Sequence, residues 1–258
     1  MSRLRAKCPE CRAHTAVSLG PEYECHACGR TFGAGLVRVP RAWGEAGDAM
    51  AEAASLPLPY PEAAVIEEDS LAEQNLALAL GLPERPLVLG GCCCAHIGAV
   101  EGLAARYDRI AVVWFDAHGD LNTLESSPSG NEWATPLRRL LDSGAVTADD
   151  VALVAARNLD PPEEEFIAAN RIATGPEGVE HALAETAGAY VAIDFDALAD
   201  DEVEPFMPEP GGMRVAEAET ILTSIREQRP VLGAGLTAML PDERNLSPAA
   251  RLTAALGL

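Results

Sequence analysis

The chain has 258 residues, 48% hydrophobic and 23% charged, with a formal net charge of −21. That size suits one α/β domain with a sizeable core plus a small appendage, and the composition is that of a soluble globular protein. Residues 1–41 hold seven Lys/Arg and three Asp/Glu, a net of +4, so the remainder carries −25. So acidic a body argues against nucleic acid as the main partner; only the mildly basic head leaves room for such a contact, and a solvated charged terminus explains that head more simply. No apolar run approaches the roughly 20 residues of a membrane span. The start, MSRLRAKCPE, runs from basic residues into a Cys pair without an apolar segment, so no signal peptide is read and a reducing, cytoplasmic setting is expected.

The first element is a metal-binding head. Cys8-Pro-Glu-Cys11 and Cys25-His-Ala-Cys28 are two C-x2-C pairs separated by 13 residues. Each pair can occupy a tight turn and aim two thiolates at one tetrahedral zinc. Tyr23–Cys25 and Gly29–Phe32 read as hairpin arms around the second pair. Residues 1–36 are therefore expected to form a zinc ribbon, with zinc supplying most of its folding energy. A redox pair is the rival reading, weakened because no thioredoxin-like pattern surrounds either pair.

Residues 37–85 read as a connector and the start of the body, with a Pro- and Glu-rich stretch over 56–69. Strand-length apolar runs follow at Leu87–Gly91, Ile110–Asp116, Val151–Ala156, Tyr190–Phe195 and Val231–Thr237. Helical stretches lie between them at Gly98–Tyr107, Pro136–Ser143, Glu163–Asn170 and Ala216–Gln228. This alternation predicts a mainly parallel sheet covered on both faces, a three-layer α/β/α fold over residues 86–258. Ligands in such sheets bind beyond the carboxyl ends of the strands.

Two of those ends carry the chemistry. Val112-Val-Trp-Phe115 runs into Asp116-Ala-His118-Gly-Asp120, and Tyr190-Val-Ala-Ile193 into Asp194-Phe-Asp196. Carboxylates beside buried strands are costly unless paired. Residues two apart on a strand share a side, so Asp116 with His118, and Asp194 with Asp196, are expected to converge. Four Asp and one His form a hard, oxygen-rich set suited to two divalent ions such as Mn²⁺.

Gly90-Gly91, DAHGDLNT (116–123), SSPSGN (126–131), the 194–196 pair and PEPGG (208–212) stand in the order found in the arginase/agmatinase/formimidoylglutamase family, which residues 86–258 resemble. The resemblance implies an arginase-like fold with a binuclear metal site, manganese foremost, and zinc or iron as alternatives. It implies hydrolysis of a guanidino, amidino or amide C–N bond by a hydroxide bridging the metals, with Asp120 also orienting that hydroxide. Asn122, Ser129, Asn131 and Asp160 match positions that hold an amino-acid head of the substrate. Relatives commonly assemble as trimers or hexamers.

Three positions depart from the pattern. Cys93 stands where the family has its first metal-binding His; a thiolate is softer than imidazole and favours zinc or iron. His96, three residues later, is the alternative ligand, and all three of Cys92, Cys93 and Cys94 could instead be small core residues. Trp133 replaces the His that shuttles protons, and Ala238 the Glu that grips the guanidinium; Glu243 lies beyond Pro241. Two functions stay open: a divergent ureohydrolase-like enzyme, or an inactive, regulatory homologue that binds metal or ligand and docks a partner through its ribbon.

Overall fold

The structure, a computed structural model, describes residues 8, 11, 13, 15–19, 22–32 and 34–258. Three short strands come first: β1 (Ala16–Leu19), β2 (Glu22–Cys25) and β3 (Thr31–Phe32), an antiparallel sheet in that order. Then follow β4 (Ala34–Val39), α1 (Asp48–Ala53), β5 (Glu62–Val65), α2 (Leu71–Gly81), β6 (Arg85–Gly90), α3 (Ala95–Ala104) and β7 (Ala111–Phe115). The second half holds α4 (Pro136–Asp142), β8 (Val151–Val154), α5 (Pro161–Asn170), β9 (Ala173–Thr174), α6 (Pro176–Leu183), β10 (Ala189–Asp194), α7 (Val215–Gln228), β11 (Val231–Thr237) and α8 (Leu246–Ala255). Among the described residues no helix is long and apolar enough to cross a membrane.

The body is one eight-stranded sheet in the order β5-β4-β6-β11-β10-β7-β8-β9, with every neighbouring pair parallel. Alternate side chains of each strand enter opposite layers. On β7, Ala111, Val113 and Phe115 join the layer built with α6, α7 and α8. Val112 and Trp114 join the layer with α2, α3 and α4. Burial on both faces explains the unbroken apolar runs. Phe115 is 1% exposed, and removing such a side chain from water contributes about 1.5–3 kcal/mol.

The five predicted strands and four predicted helices are all present, with ends shifted by a few residues. Three strands of the body sheet, β4, β5 and the two-residue β9, are not among them. β4 begins at Ala34 and pairs with β6 from Ala34↔Arg85 to Val39↔Gly90, so residues 34–36 belong to the body sheet. Its Gly-rich start hid it. Residues 62–65, within the stretch read as a connector, form the edge strand β5, where the absence of an outer neighbour tolerates Pro61 and exposed charge.

The order of strands positions the site. β6, β11, β10 and β7 are consecutive neighbours, and being parallel they present their carboxyl ends together. The loops after them deliver Cys93, Ala238, the 194–196 pair and the 116–120 segment to one place.

Candidate metal centre

β7 ends at Phe115, so Asp116 to Asp120 lie in the turn beyond it, not on the strand. Asp194 is the last residue of β10, and Asp196 sits in a single 3-10 turn, Phe195–Ala197. The expected pairs converge, but through turns pinned by backbone amides rather than by strand periodicity. His118 N–H donates to Asp116 Oδ1 at 2.7 Å, Asp196 N–H to Asp194 Oδ1 at 2.8 Å, and Ala117 N–H to Asp196 Oδ1 at 2.9 Å. His118 Nδ1 then lies 3.3 Å from Asp116 Oδ1 and 3.0 Å from Asp196 Oδ2.

Two ligand-like groups result. Cys93, Asp116 and Asp120 form one, and Asp116, His118 and Asp196 the other, the atoms of each lying within 4.8 Å of one another. Asp116 is common to both. Asp194 joins the first through Cys93, whose thiol donates to Asp194 Oδ2 at 2.8 Å. Asp120 holds its place in a left-handed conformation with φ 52°, which costs a non-glycine residue roughly 1–2 kcal/mol. Ala155 (φ 71°) and Ala238 (φ 56°), just beyond β8 and β11, share that conformation. Such strain clusters where surrounding structure holds a site in shape.

Electrostatics shows what this cluster wants. Burial, then the charges of Asp116, Asp194 and Glu163, push the Asp120 carboxyl well above its usual range. Burial and the charge of Asp196 raise Asp116 as well, and burial with the charges of Asp196 and Asp116 raises Asp194. For His118, burial opposes the charged ring, but Asp116 and Asp196 outweigh it and its pKa is pushed up to about 12. One imidazole cannot neutralise four buried carboxylates. Asp120 Oδ2 is buried with no hydrogen-bond partner among the described residues. An orphaned carboxylate oxygen inside an acidic cluster is costly to bury, and a cation would satisfy it. Oxygen-rich donors with one imidazole and one thiol fit divalent metal ions.

His96, the alternative to Cys93, is not turned toward this cluster. Its ring nitrogens meet Tyr190 Oη at 2.9 Å and Thr237 Oγ1 at 3.1 Å. Helix α3 carries it past the site because it lies almost one turn beyond Cys93. Cys92 accepts the Trp43 N–H at 3.3 Å and lines the cleft without joining either ligand group.

The cleft above the cluster has a volume of about 270 Å³. Asn122, Ser129, Asn131 and Asp160 all line it. Asn122 Nδ2 donates to Asp160 Oδ2 at 2.9 Å and its Oδ1 accepts from Ser126 at 2.8 Å, while Asn131 Oδ1 accepts the Glu45 N–H at 2.9 Å. Trp133 stacks edge-on against Phe206 at 5.9 Å, making an apolar wall with Met50 and Met207. Glu243 is exposed and does not line the cleft.

Several contributors were missed in the sequence. Trp114 Nε1 donates to Asp116 Oδ2 at 3.1 Å; a Trp two residues before the Asp was the available signal. Glu163 accepts from Leu121 N–H at 2.9 Å and Asp160 N–H at 3.0 Å, tying α5 to the 116–121 turn. Arg157 donates to the carbonyls of Asp196, Glu209 and Pro210, fastening the PEPGG loop beside the site. Phe206 and Met207 had no local signal, because only tertiary structure brings that loop over the cleft.

In the head, Cys8 Sγ lies 3.6 Å from Cys28 Sγ and Cys11 Sγ 3.5 Å from Cys25 Sγ, all four within 4.8 Å of one another. A tetrahedron with bonds of about 2.3 Å to zinc has edges of about 3.8 Å, so this donor set fits that ion.

A match to the Arginase family spans residues 50–257. The chain belongs to the arginase family. Arginase from Bacillus caldovelox is 32% identical over 212 residues, covering 68% of this chain and 71% of that protein. Arginase from Bacillus subtilis (strain 168) is 36% identical over 138 residues, 44% of this chain and 47% of that one. The crystal structure of the Bacillus subtilis arginase superposes with a TM-score of 0.78 at 23% identity, covering 86% of this chain and 97% of that one. That of the Bacillus caldovelox enzyme gives 0.74 at 26% identity with the same coverage. Formimidoylglutamase from Bacillus subtilis shares the fold, with a TM-score of 0.69 at 16% identity over 86% and 85% of the two chains. Within the arginase-family fold, the candidate ligands of this chain occupy the carboxyl ends of the central strands.

Proposed function

We propose that this chain is a metal-dependent hydrolase of a small guanidino, amidino or amide compound, cleaving a non-peptide C–N bond. The observation that carries the reading is the pair of ligand groups sharing Asp116 beneath the cleft. Cys93, Asp116, Asp120 and Asp194 would hold one cation, and Asp116, His118, Asp194 and Asp196 a second. When bound, such ions polarise the substrate and lower the pKa of water to near neutrality. Manganese suits the carboxylates, and the Cys93 thiolate draws the first position toward zinc or iron. The four ribbon thiolates would hold a separate structural zinc.

The protein's own groups then divide the work. Asp120 would give one carboxylate oxygen to the cation and keep the other to orient water and take its proton. Asn122, Ser129, Asn131 and Asp160 offer a polar rim for the substrate's head. Trp133, Phe206 and Met207 exclude water from the other side. Trp133 has one N–H donor and cannot relay protons near neutral pH, so the leaving group must take its proton by way of Asp120. Ala238 offers no carboxylate to a cationic guanidinium. That favours a substrate whose reacting group is a neutral amide or a weakly basic amidine. Assembly as a trimer or hexamer belongs to the same reading and is checked by sedimentation.

The test is a panel of guanidino, amidino and amide compounds with protein loaded with Mn²⁺, Zn²⁺ or Fe²⁺, scored for urea and ammonia. Metal-dependent release that Asp120→Ala abolishes supports the reading. No release with any metal across the panel overturns it.

A further inference from the structure

Behind Cys93, away from the cleft, lies a chain of buried polar groups that the hydrolytic chemistry does not use. Cys93 Sγ is 3.5 Å from Thr237 Oγ1, Thr237 Oγ1 is 3.1 Å from His96 Nε2, and His96 Nδ1 is 2.9 Å from Tyr190 Oη. Cys93 is 4% exposed, His96 1%, and Thr237 and Tyr190 0%. The residues come from four segments: the loop after β6, the first turn of α3, the end of β11 and the start of β10. The backbone makes room for them. A Cβ on Gly235 would sit 2.6 Å from both His96 Nδ1 and Tyr190 Oη, so β11 carries glycine where the ring and hydroxyl cross it. The edge of Trp114, the residue that donates to Asp116, completes the cage at 5.0 Å from the His96 ring.

We propose that Tyr190, His96 and Thr237 form a one-way hydrogen-bond chain that donates to the sulfur of Cys93 and positions it as a thiolate ligand. This rests on the reading of Cys93 as a metal ligand. The direction follows from counting protons. The Cys93 S–H is directed at Asp194 Oδ2, 2.8 Å away, and would be lost there when a cation binds; in either state the sulfur has no proton for Thr237, so Thr237 Oγ1–H must donate to it. Thr237 has then spent its only proton and must accept from His96 Nε2–H. A neutral imidazole carries one N–H, so Nδ1 is left as acceptor and takes the Tyr190 hydroxyl proton. No other assignment satisfies all three contacts. The ring is neutral, since burial drives the pKa of His96 down to about 3. Aligned donors in a dry interior polarise one another, which makes the last donation to sulfur stronger than an isolated hydroxyl would. Outer groups of this kind fix ligand orientation and change metal affinity by about 10–100-fold. A short Cys side chain, with no ring nitrogen of its own to anchor, needs such support more than an imidazole does. Thr237, His96 and Tyr190 are therefore positioning residues, acting through Cys93.

Two measurements on the full chain decide it. In zinc-loaded protein, nitrogen-15 NMR of the His rings, with the His96 signals assigned by H96Q, should show His96 protonated at Nε2 and bare at Nδ1. With Co²⁺, the difference spectrum between wild type and C93S should contain a sulfur-to-cobalt charge-transfer band; taking the difference removes the ribbon thiolates. T237V should shift that band and weaken cobalt binding by about 10–100-fold. T237S, which keeps the hydroxyl, should restore both. A His96 protonated at Nδ1 overturns the chain, as does a T237V variant with wild-type band and affinity. Absence of any Cys93-dependent band overturns the ligand assignment itself, and the chain with it.

Discussion

Gly44 lies directly against the ring of Trp133: a Cβ there would stand 2.3 Å from Cζ3 and 2.6 Å from Cη2. The segment before α1 thus backs the Trp133 indole, and Phe206 packs on it edge-on. Gly44→Ala should push the Trp133 ring into the cleft without touching a metal ligand. We expect kcat/KM to fall by about 10–100-fold, as for a displacement of about 1 Å in a binding wall. Bound metal, measured by elemental analysis, should stay at the wild-type count. Loss of metal in this variant would show that Trp133 supports the cluster rather than the substrate.

Among the described residues, Asp120 is the one cluster carboxylate with a buried oxygen that no protein group satisfies. Asp120→Asn keeps the shape and removes the charge. The position formed by Cys93, Asp116 and Asp120 should lose its ion first, lowering the cluster from two metals to about one, because removing one charged ligand commonly costs several kcal/mol of pairing. Turnover should fall with it. Two metals retained after exhaustive dialysis would remove Asp120 from the ligand set.

The sequence made the sheet and its acidic ends legible because both follow local rules. Strands buried on two faces are unbroken apolar runs, and Asp116 and Asp194 close two of them. What it hid was non-local. Arg157 reaches three carbonyls as far away as Pro210, and Phe206 meets Trp133 across the cleft. Nothing in the spacing of either residue announces these contacts. His96 was ambiguous for the same reason: its distance from Cys93 in sequence is short, but the start of α3 aims it at Tyr190 and Thr237. β4 was obscured by Gly33 just before it and Gly35 within it, although its pairing with β6 places it inside the sheet.

The ribbon thiolates meet at zinc-like separations around a head whose buried apolar cluster is only Cys8, Ala16 and Cys25 with Tyr23 against it, among the described residues. So small a core would leave a zinc ion held by the four thiolates, as proposed above, to supply the folding energy. Cys25→Ser should remove one zinc per chain and speed hydrogen exchange at β1 and β2, while the β6, β7, β10 and β11 amides keep their protection. Unchanged protection in β1 and β2 would mean that the head folds without the ion.

His96 gives a pH signature. Its pKa is held near 3 by burial, against about 6.5 for an unfolded chain, so the unfolded state binds the proton first. Stability from the neutral ring is complete above about pH 6.5 and is lost progressively as pH falls toward 3, with a slope of about 1.4 kcal/mol per pH unit. The facing titratable group is Tyr190, which stays protonated throughout. Between about pH 6.5 and 5, wild type should lose about 2 kcal/mol more than His96→Gln, read from urea midpoints. Parallel curves for the two proteins would contradict a buried neutral His96.

Ala238 offers the most direct control of specificity. It lines the cleft, follows β11 and already adopts φ 56°. The left-handed backbone costs alanine roughly 1–2 kcal/mol, and a longer unbranched side chain adds little to that. Ala238→Glu would therefore place a carboxylate at the cleft without a new backbone penalty. A carboxylate there pairs with a cationic guanidinium and leaves a neutral amide facing an unmatched charge. The ratio of kcat/KM for guanidino over neutral amide or amidine compounds should rise by at least about 10-fold, the scale of one added polar discrimination in a pocket. Metal content should not change, because Ala238 contributes its backbone, not its side chain, to the loop: its N–H donates to Gly91 O at 3.1 Å and its carbonyl accepts from Phe206 N–H at 2.8 Å. A variant that retains wild-type preference with full metal content would show that the reacting group of the substrate does not sit against this position.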